Sequence, residues 1–287
     1  MKNVEIWKFC DLSDSYELKP FKPEKDYQSL NEASHDIPDG VYATFITFNH
    51  KEKVLPFSKQ LHRITSSAEI ILEAPIIINE KYLSAAVSSV IRNYYSADEV
   101  KVRVTLDMQV SFGDLYISIE PFIPFTVQEY ENGVHTITCD LVREDPEAKG
   151  TRHLKNATVL QADFNSHIEE ALLLDKNGNI FEGLSSNFFA IINGKIVTSD
   201  DNILPGITRG ITLEIIEDLG YKIVYNSPNI KNYMNFDEAF ITSSSRGVLP
   251  VVTIDKKKIK KGKPGIITSK ISSVYNSKIK ELLIDLF

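Results

Sequence analysis

The chain has 287 residues, enough for two domains, and its 43% hydrophobic and 25% charged residues are typical of a folded globular protein. Its formal net charge of −7 does not favour nucleic acid or an anionic membrane as a partner. No run of the sequence approaches the roughly 20 apolar residues that a membrane helix requires.

The first part of the chain predicts a small α/β domain over residues 1–124. Residues 1–40 are mainly polar, and only one strand is expected there. Later runs predict strands, because they are β-branched and aromatic or alternate between apolar and polar residues. Two further runs carry apolar residues at helical spacing. Strands are expected at 4–9, 41–48, 100–106 and 115–119, and helices at 58–72 and 83–94.

The second part predicts a larger domain over residues 134–287, after a linker at 125–133. Asn193-Gly194 is a strong hairpin signal between two of its strands. A helix is expected from Thr208 to Leu219, and another closes the chain. Further strands are expected at 134–141, 171–174, 179–181, 187–192, 195–198, 222–225, 238–242 and 249–254. The whole pattern predicts a mixed α/β fold in two domains.

A lysine and a glutamate are the first candidate site residues. Lys155 follows Leu154 and precedes a neutral run at 156–160, so its amine is expected to be partly desolvated. Desolvation makes a lysine a better Schiff-base nucleophile, although most lysines are solvated surface charges. Glu182 follows a predicted hairpin and precedes small and polar residues. Its carboxylate is either a solvated strand-end acid or the partner of a pyridine nitrogen.

Two other segments predict anion sites. Residues 205–208 (Pro-Gly-Ile-Thr) turn into a helix that we expect Thr208 to cap, and the N–H groups and positive dipole of a helix start favour phosphate. Residues 242–247 place four hydroxyl groups beside Arg246 at a strand end. Many helix starts and serine-rich turns bind nothing, so neither segment is specific by itself.

The order of these segments is more specific than any one of them. The chain carries Glu-Gly-Leu-Ser-Ser-Asn-Phe-Phe at 182–189, Leu-Pro-Gly-Ile-Thr-Arg at 204–209 and Leu-His-Arg-Ile at 61–64. From about Asp39 to Val252 it closely resembles the fold-type IV enzymes, which depend on pyridoxal 5′-phosphate. That family contains branched-chain aminotransferases, D-amino acid aminotransferases and 4-amino-4-deoxychorismate lyases. The resemblance implies two domains with barrel-like β-structure in the larger one, a cofactor at the domain interface and a homodimer.

The resemblance also implies a role for each matching residue. Lys155 would form an aldimine with the cofactor and shuttle the substrate proton, and Glu182 would face the pyridine nitrogen. The remaining contacts with the ring face and the phosphate would come from Arg63, Leu204, Ile207, Thr208, Ser243 and Ser244. Tyr42 and Thr44 lie on the strand that lines the substrate pocket in relatives, and simple packing is the alternative for both.

Some positions depart from the family pattern. Thr158 and Val159 stand where many relatives carry other residues after the lysine, among them a tyrosine that helps to orient the cofactor. The segment 107–114 has no basic residue, so it lacks the Arg and His that bind the substrate carboxylate in D-amino acid aminotransferases. We hypothesise that Arg246 anchors that carboxylate instead, and pairing with a surface acid is the alternative. Residues 1–38 inherit no role.

We therefore expect a transaminase that moves an amino group between a branched-chain-like amino acid and a 2-oxo acid. The alternatives are a 4-amino-4-deoxychorismate lyase, which releases pyruvate, and a homologue without activity. The two cysteines show no disulfide framework, and the amino-terminal residues lack a signal-peptide core, so we expect a soluble cytoplasmic protein. The six histidines show no metal-ligand spacing, so no metal is expected.

Overall fold

The computed structural model describes residues 4–141, 143–164 and 167–287. The chain divides into two compact units, and the first contains the residues up to Ile123 together with Ala148–Thr158 and Leu282–Phe287. The second contains Pro124–Glu147 and Val159–Glu281. Two segments from late in the chain thus belong to the first unit, and one of them carries Lys155.

Strands and α-helices are interspersed along the chain. The strands are β1 (Glu5–Asp11), β2 (Tyr16–Phe21), β3 (Gly40–Phe48), β4 (Lys53–Val54), β5 (Val100–Asp107), β6 (Leu115–Pro121), β7 (Val134–Cys139), β8 (Ile168–Leu174), β9 (Ile180–Gly183), β10 (Asn187–Ile192), β11 (Lys195–Thr198), β12 (Ile223–Tyr225), β13 (Glu238–Ser243), β14 (Gly247–Ile254), β15 (Lys257–Lys258) and β16 (Ile284–Asp285). The α-helices are α1 (Leu30–Ala33), α2 (Phe57–Leu72), α3 (Glu80–Asn93), α4 (Val127–Asn132), α5 (Thr151–Ala162), α6 (Ile207–Asp218) and α7 (Ile266–Leu282). Within the described ranges, no helix is both long and apolar enough to cross a membrane.

The first unit is built on an antiparallel sheet. In the described part of the chain its strand order is β16-β4-β3-β5-β6-β1-β2. Val41, Ala43 and Phe45 of β3 lie in the main core of this unit, beside buried side chains of α2 and α3. Because side chains alternate along a strand, Tyr42 and Thr44 lie on the opposite face. The strand β3 therefore separates the main core of this unit from Tyr42 and Thr44.

The second unit contains a closed barrel. Among the described strands, the order β10-β13-β14-β7-β8-β9 forms a path, and an additional pairing of Asn187 with Glu182 joins β10 to β9. Strand β7 runs parallel to both β14 and β8, while the other pairs in the ring are antiparallel. Phe188 and Ile241 belong to the apolar core of this unit. The mixed α/β fold and the barrel-like β-structure predicted from the sequence are confirmed.

Candidate active site

Lys155 lies in the second turn of α5, and its amine has two hydrogen-bond acceptors. The Lys155 Nζ donates to Asp39 Oδ1 at 2.7 Å and to the carbonyl oxygen of Ile37 at 3.1 Å. The neighbouring Leu154 and Ala157 are buried, and the Lys155 side chain is 21% exposed. The amine is therefore partly removed from solvent and is bound to an acid.

Asp39 was not singled out by any motif, and it organises the surroundings of the lysine. Its Oδ1 also accepts a hydrogen bond from Thr151 Oγ1 at 3.0 Å, and its Oδ2 lies 3.8 Å from Arg152 Nε. Burial raises the pKa of the Asp39 carboxyl, but Lys155, Thr151 and Arg152 together lower it below its ordinary value. Asp39 is therefore a carboxylate at neutral pH and can carry the negative charge of an ion pair.

Tyr42 and Thr44 share their face of β3 with Arg103 of β5. The Arg103 guanidinium carbon lies 5.0 Å from the centroid of the Tyr42 ring, and its Nε donates to Thr44 Oγ1 at 3.3 Å. Lys149 Nζ lies 5.1 Å from the same ring centroid. Both predicted pocket residues thus have structural partners, and their role towards substrate stays a prediction. Arg63 lies half-buried on α2.

Glu182 lies near the end of β9 and is 2% exposed, which excludes the interpretation as a solvated strand-end acid. Its Oε1 accepts a hydrogen bond from Arg143 at 2.7 Å, and its Oε2 accepts from the Leu204 N–H at 3.0 Å and from Asn187 Nδ2 at 3.2 Å. Desolvation raises the pKa of the carboxyl to about 7, although Arg143 and the Leu204 N–H oppose this shift. A buried carboxyl that titrates near neutrality is typical of functional sites.

Helix α6 begins at Ile207, and its N-cap is Gly206. The expectation that Thr208 caps this helix was therefore wrong. A Cβ on Gly206 would overlap Asn187 Oδ1, so glycine allows the close approach that fixes the helix start. Thr208 lies inside the first turn, where its hydroxyl hydrogen-bonds to Tyr275. No side-chain cap bonds to the N-terminus of this helix in the described structure. Helix N-termini of this kind offer backbone N–H groups to anions, and phosphate binding here stays a prediction.

Leu204 is linked to the same group of residues by its backbone. Its carbonyl oxygen accepts a hydrogen bond from Asn187 Nδ2 at 2.8 Å, and its N–H binds Glu182. Asn187 thus links β9, which carries Glu182, to the turn that precedes α6. The structure brings Glu182, Leu204 and the start of α6 into one cluster within the second unit.

Arg246 follows the Ser243-Ser244 turn and belongs to a partly buried ionic network. Its side chain is 11% exposed, its Nε donates to Glu169 at 2.7 Å, and one terminal nitrogen donates to Ser185 Oγ at 2.9 Å. That nitrogen also lies 3.5 Å from an oxygen of the fully buried Glu170. These contacts favour the ion-pair alternative, although the acids are not surface acids. Anchoring of a substrate carboxylate by Arg246 stays a prediction.

The residues present fit a phosphorylated pyridine cofactor. The first unit supplies an amine, and the second unit supplies a buried carboxyl and a helix start; each is a type of group that such a cofactor uses. One further observation supports the fit. The buried Thr242 Oγ1 has no hydrogen-bond partner among the described residues, and Thr242 pairs in register with Asn187. Leaving a buried hydroxyl unpaired is costly, so a ligand acceptor beside it would be favourable.

Comparison with known proteins agrees with this chemistry. Residues 40–254 match the family model described as amino-transferase class IV. The chain belongs to the class IV aminotransferases.

Individual relatives of this class IV aminotransferase are distant. A putative branched-chain-amino-acid aminotransferase of Methanocaldococcus jannaschii is 29% identical over 153 residues, which cover 50% of this chain and 53% of the relative. The match thus spans about half the length of that relative. A D-alanine aminotransferase of Staphylococcus aureus is 26% identical over 287 residues, covering 90% of this chain and 94% of the relative.

A solved structure shows the same fold. The branched-chain aminotransferase of Thermoproteus uzoniensis with norvaline has a TM-score of 0.72 and 22% identity, with 99% of both chains covered. At this identity, the likeness concerns the architecture alone.

The sequence did not indicate every residue of this candidate site. Asp39, Arg143 and Glu170 carry no motif signal, since each is one charged residue whose partner is far along the chain. Asp39 and Lys155, for example, are separated by 116 positions. Asn187 could have been found, because it belongs to the motif at 182–189 and its amide is the type of group that fixes a carboxylate.

Proposed function

We propose that this class IV aminotransferase moves an amino group between a branched-chain-like amino acid and a 2-oxo acid, with pyridoxal 5′-phosphate as its cofactor. The observation that carries this proposal is the buried Glu182 carboxyl, whose pKa lies near 7 and whose two oxygens are fixed by Arg143, Asn187 and the Leu204 N–H. A preorganised acid of this kind suits a pyridine nitrogen. The names of the relatives support the choice of reaction.

The roles follow from the chemistry of the residues. When bound, the cofactor would supply an electron sink for the negative charge that develops at the substrate α-carbon. Lys155 would attach the cofactor through its amine and would hold or move the substrate proton at Nζ. Glu182 would hold the proton at the pyridine nitrogen. The ring face and the phosphate would be bound by Arg63, Leu204, Ile207, Thr208, Ser243 and Ser244.

The amino donor is proposed from the residues that could contact it. Tyr42 and Thr44 would line the pocket. The segment 107–114 offers no cation, and the Asp107 carboxylate braces it by accepting hydrogen bonds from the N–H groups of Gln109, Val110 and Ser111 at 2.8, 2.9 and 2.8 Å. This arrangement does not support a carboxylate trap of the D-amino acid type in that segment, so we propose a branched-chain-like donor.

The two alternatives receive less support. The relatives described above are named aminotransferases, so their names do not favour a 4-amino-4-deoxychorismate lyase. A homologue without activity would not need the lysine, the buried acid and the helix start together. The homodimer and the cytoplasmic location stay predictions, and size-exclusion chromatography of the purified protein tests the first of them.

An assay with paired substrates tests the reaction. The purified protein with pyridoxal 5′-phosphate is incubated with L-leucine, L-valine or D-alanine and 2-oxoglutarate, and glutamate is measured. A parallel reaction with aminodeoxychorismate measures pyruvate. We expect glutamate with the branched-chain donors, and none from Lys155→Ala. The matched control Lys176→Ala, at an exposed hairpin position, should retain activity. Pyruvate release without glutamate would favour the lyase, and neither product would contradict the proposed function.

A further inference from the structure

Asp39 is held in a fixed position by backbone contacts on both sides of the residue. Its N–H donates to Gln109 Oε1 at 3.2 Å, and its carbonyl oxygen accepts from the Met108 N–H at 3.1 Å. The next residue, Gly40, donates its N–H to Thr151 Oγ1 at 3.0 Å. A Cβ on Gly40 would overlap the Leu106 carbonyl oxygen, so only glycine fits at this position. The carboxylate is therefore presented from a rigid position.

Two cations of α5 lie near the Asp39 carboxylate, and they differ in exposure. Lys155 and Arg152 are both on α5 and both face Asp39, at 2.7 Å and 3.8 Å between the charged atoms. The Arg152 side chain is 75% exposed, whereas the Lys155 side chain is 21% exposed. The Lys155 ammonium therefore depends on Asp39 more than the Arg152 guanidinium does, because a partly desolvated charge without a partner is unfavourable.

We propose that Asp39 is a positioning residue that receives the ε-ammonium of Lys155 whenever this amine is not bonded to the cofactor. This inference rests on the proposed function, in which an incoming amino substrate displaces the lysine. The freed amine then needs a defined place from which it can return. Asp39 Oδ1 and the Ile37 carbonyl oxygen are two acceptors for this ammonium. The hydrogen bond from Thr151 Oγ1 keeps Asp39 Oδ1 oriented towards α5. The lysine would thus stay in one place instead of moving among rotamers.

The reactivity of the Lys155 amine tests this idea without an activity assay. The protein is loaded with pyridoxamine 5′-phosphate, which carries an amine in place of the aldehyde and so leaves Lys155 free. Trace labelling with acetic anhydride, read by peptide mass spectrometry against an internal standard, measures the uncharged fraction of each lysine. Asp39→Asn keeps the shape and the acceptor for Thr151 but removes the charge. We expect Lys155 to be labelled about tenfold faster in this variant at about pH 8, the order expected for one charge-assisted hydrogen bond.

The pH profile separates positioning from a loosened structure. The difference in labelling rate between Asp39→Asn and the unaltered protein should shrink towards about pH 11, because an ordinary lysine amine loses its proton in this range and the charge of Asp39 then matters less. The control Asp285→Asn removes an exposed ion pair with Lys53 at 2.6 Å and should leave the labelling of Lys155 unchanged. Asp39→Glu retains the charge and should label Lys155 at close to the rate of the unaltered protein. If Asp39→Asn unfolds, Asp39→Ala replaces it as the variant without the charge.

Two results would overturn the proposal. One is an equal labelling rate in Asp39→Asn and the unaltered protein at about pH 8. The other is an increase of the same size at both pH values, which would show only better access to the amine. Neither result bears on whether the protein transaminates, since that question is decided by the Lys155→Ala assay. The failure of one proposal can therefore be distinguished from the failure of the other.

Discussion

Replacement of Arg246 by methionine separates a structural ion pair from a substrate anchor. The change keeps most of the side-chain volume but removes the cation beside Glu169 and the fully buried Glu170. Removing one partner of a buried pair costs about 3–5 kcal/mol, because the other charge stays buried. Glu170 keeps hydrogen bonds from the hydroxyl groups of Ser185 and Ser186 at 2.8 and 2.9 Å. We therefore expect a loss near the lower end, about 3 kcal/mol of unfolding free energy.

Urea denaturation of both proteins measures this loss. The control is Lys260→Met, which removes a cation from an exposed pair with Asp237 at 3.1 Å, where the side chains are 50% and 38% exposed. It should cost about 0–1 kcal/mol. A loss in Arg246→Met no larger than in this control, together with an increased KM for the amino donor, would refute the structural interpretation. Arg246 would then serve the substrate carboxylate.

Two further predictions concern the cluster around Glu182. Gly206→Ala places a methyl group against Asn187 Oδ1. It should lower the unfolding free energy by about 1–3 kcal/mol, measured by urea denaturation. It should also weaken the retention of pyridoxal 5′-phosphate, measured by dialysis. Gly210→Ala, whose new methyl group meets no atom within 4 Å among the described residues, is the control and should do neither. The pKa of the Glu182 carboxyl is raised from 4.5 to about 7 in the folded protein, so the folded state binds this proton more tightly than the unfolded chain. In the cofactor-free protein, this carboxyl should therefore lower the unfolding free energy by about 2–3 kcal/mol between about pH 5 and about pH 8. Glu182→Gln should remove that contribution, and an unchanged pH dependence would contradict the raised pKa.

Much of the fold could be predicted because its signals are local. The alternating and β-branched runs identified β3, β5 and β6, and Asn193-Gly194 identified the hairpin between β10 and β11. Strand β2 was missed, since it is short, carries the charged residues Glu17 and Lys19 and includes Pro20. It lies at the edge of its sheet, where proline is tolerated and burial is slight.

The site was predicted less completely because its organisation depends on distant pairs. Motifs indicated Lys155 and Glu182, but their immediate partners Asp39 and Arg143 have no sequence signal of their own. The start of α6 was placed at Thr208 by its hydroxyl, whereas the close packing of Gly206 on Asn187 sets it earlier. Local propensity cannot indicate such a contact, since Asn187 lies on a separate strand.

Chemical trapping of the bond between Lys155 and the cofactor tests the proposed function most directly. The protein is incubated with pyridoxal 5′-phosphate, reduced with sodium borohydride, digested and examined by mass spectrometry, with Lys155→Ala and Lys176→Ala in parallel. We predict a phosphopyridoxyl group on Lys155 in the unaltered protein and in Lys176→Ala. A modification spread over exposed lysines, with Lys155 unmodified, would contradict it.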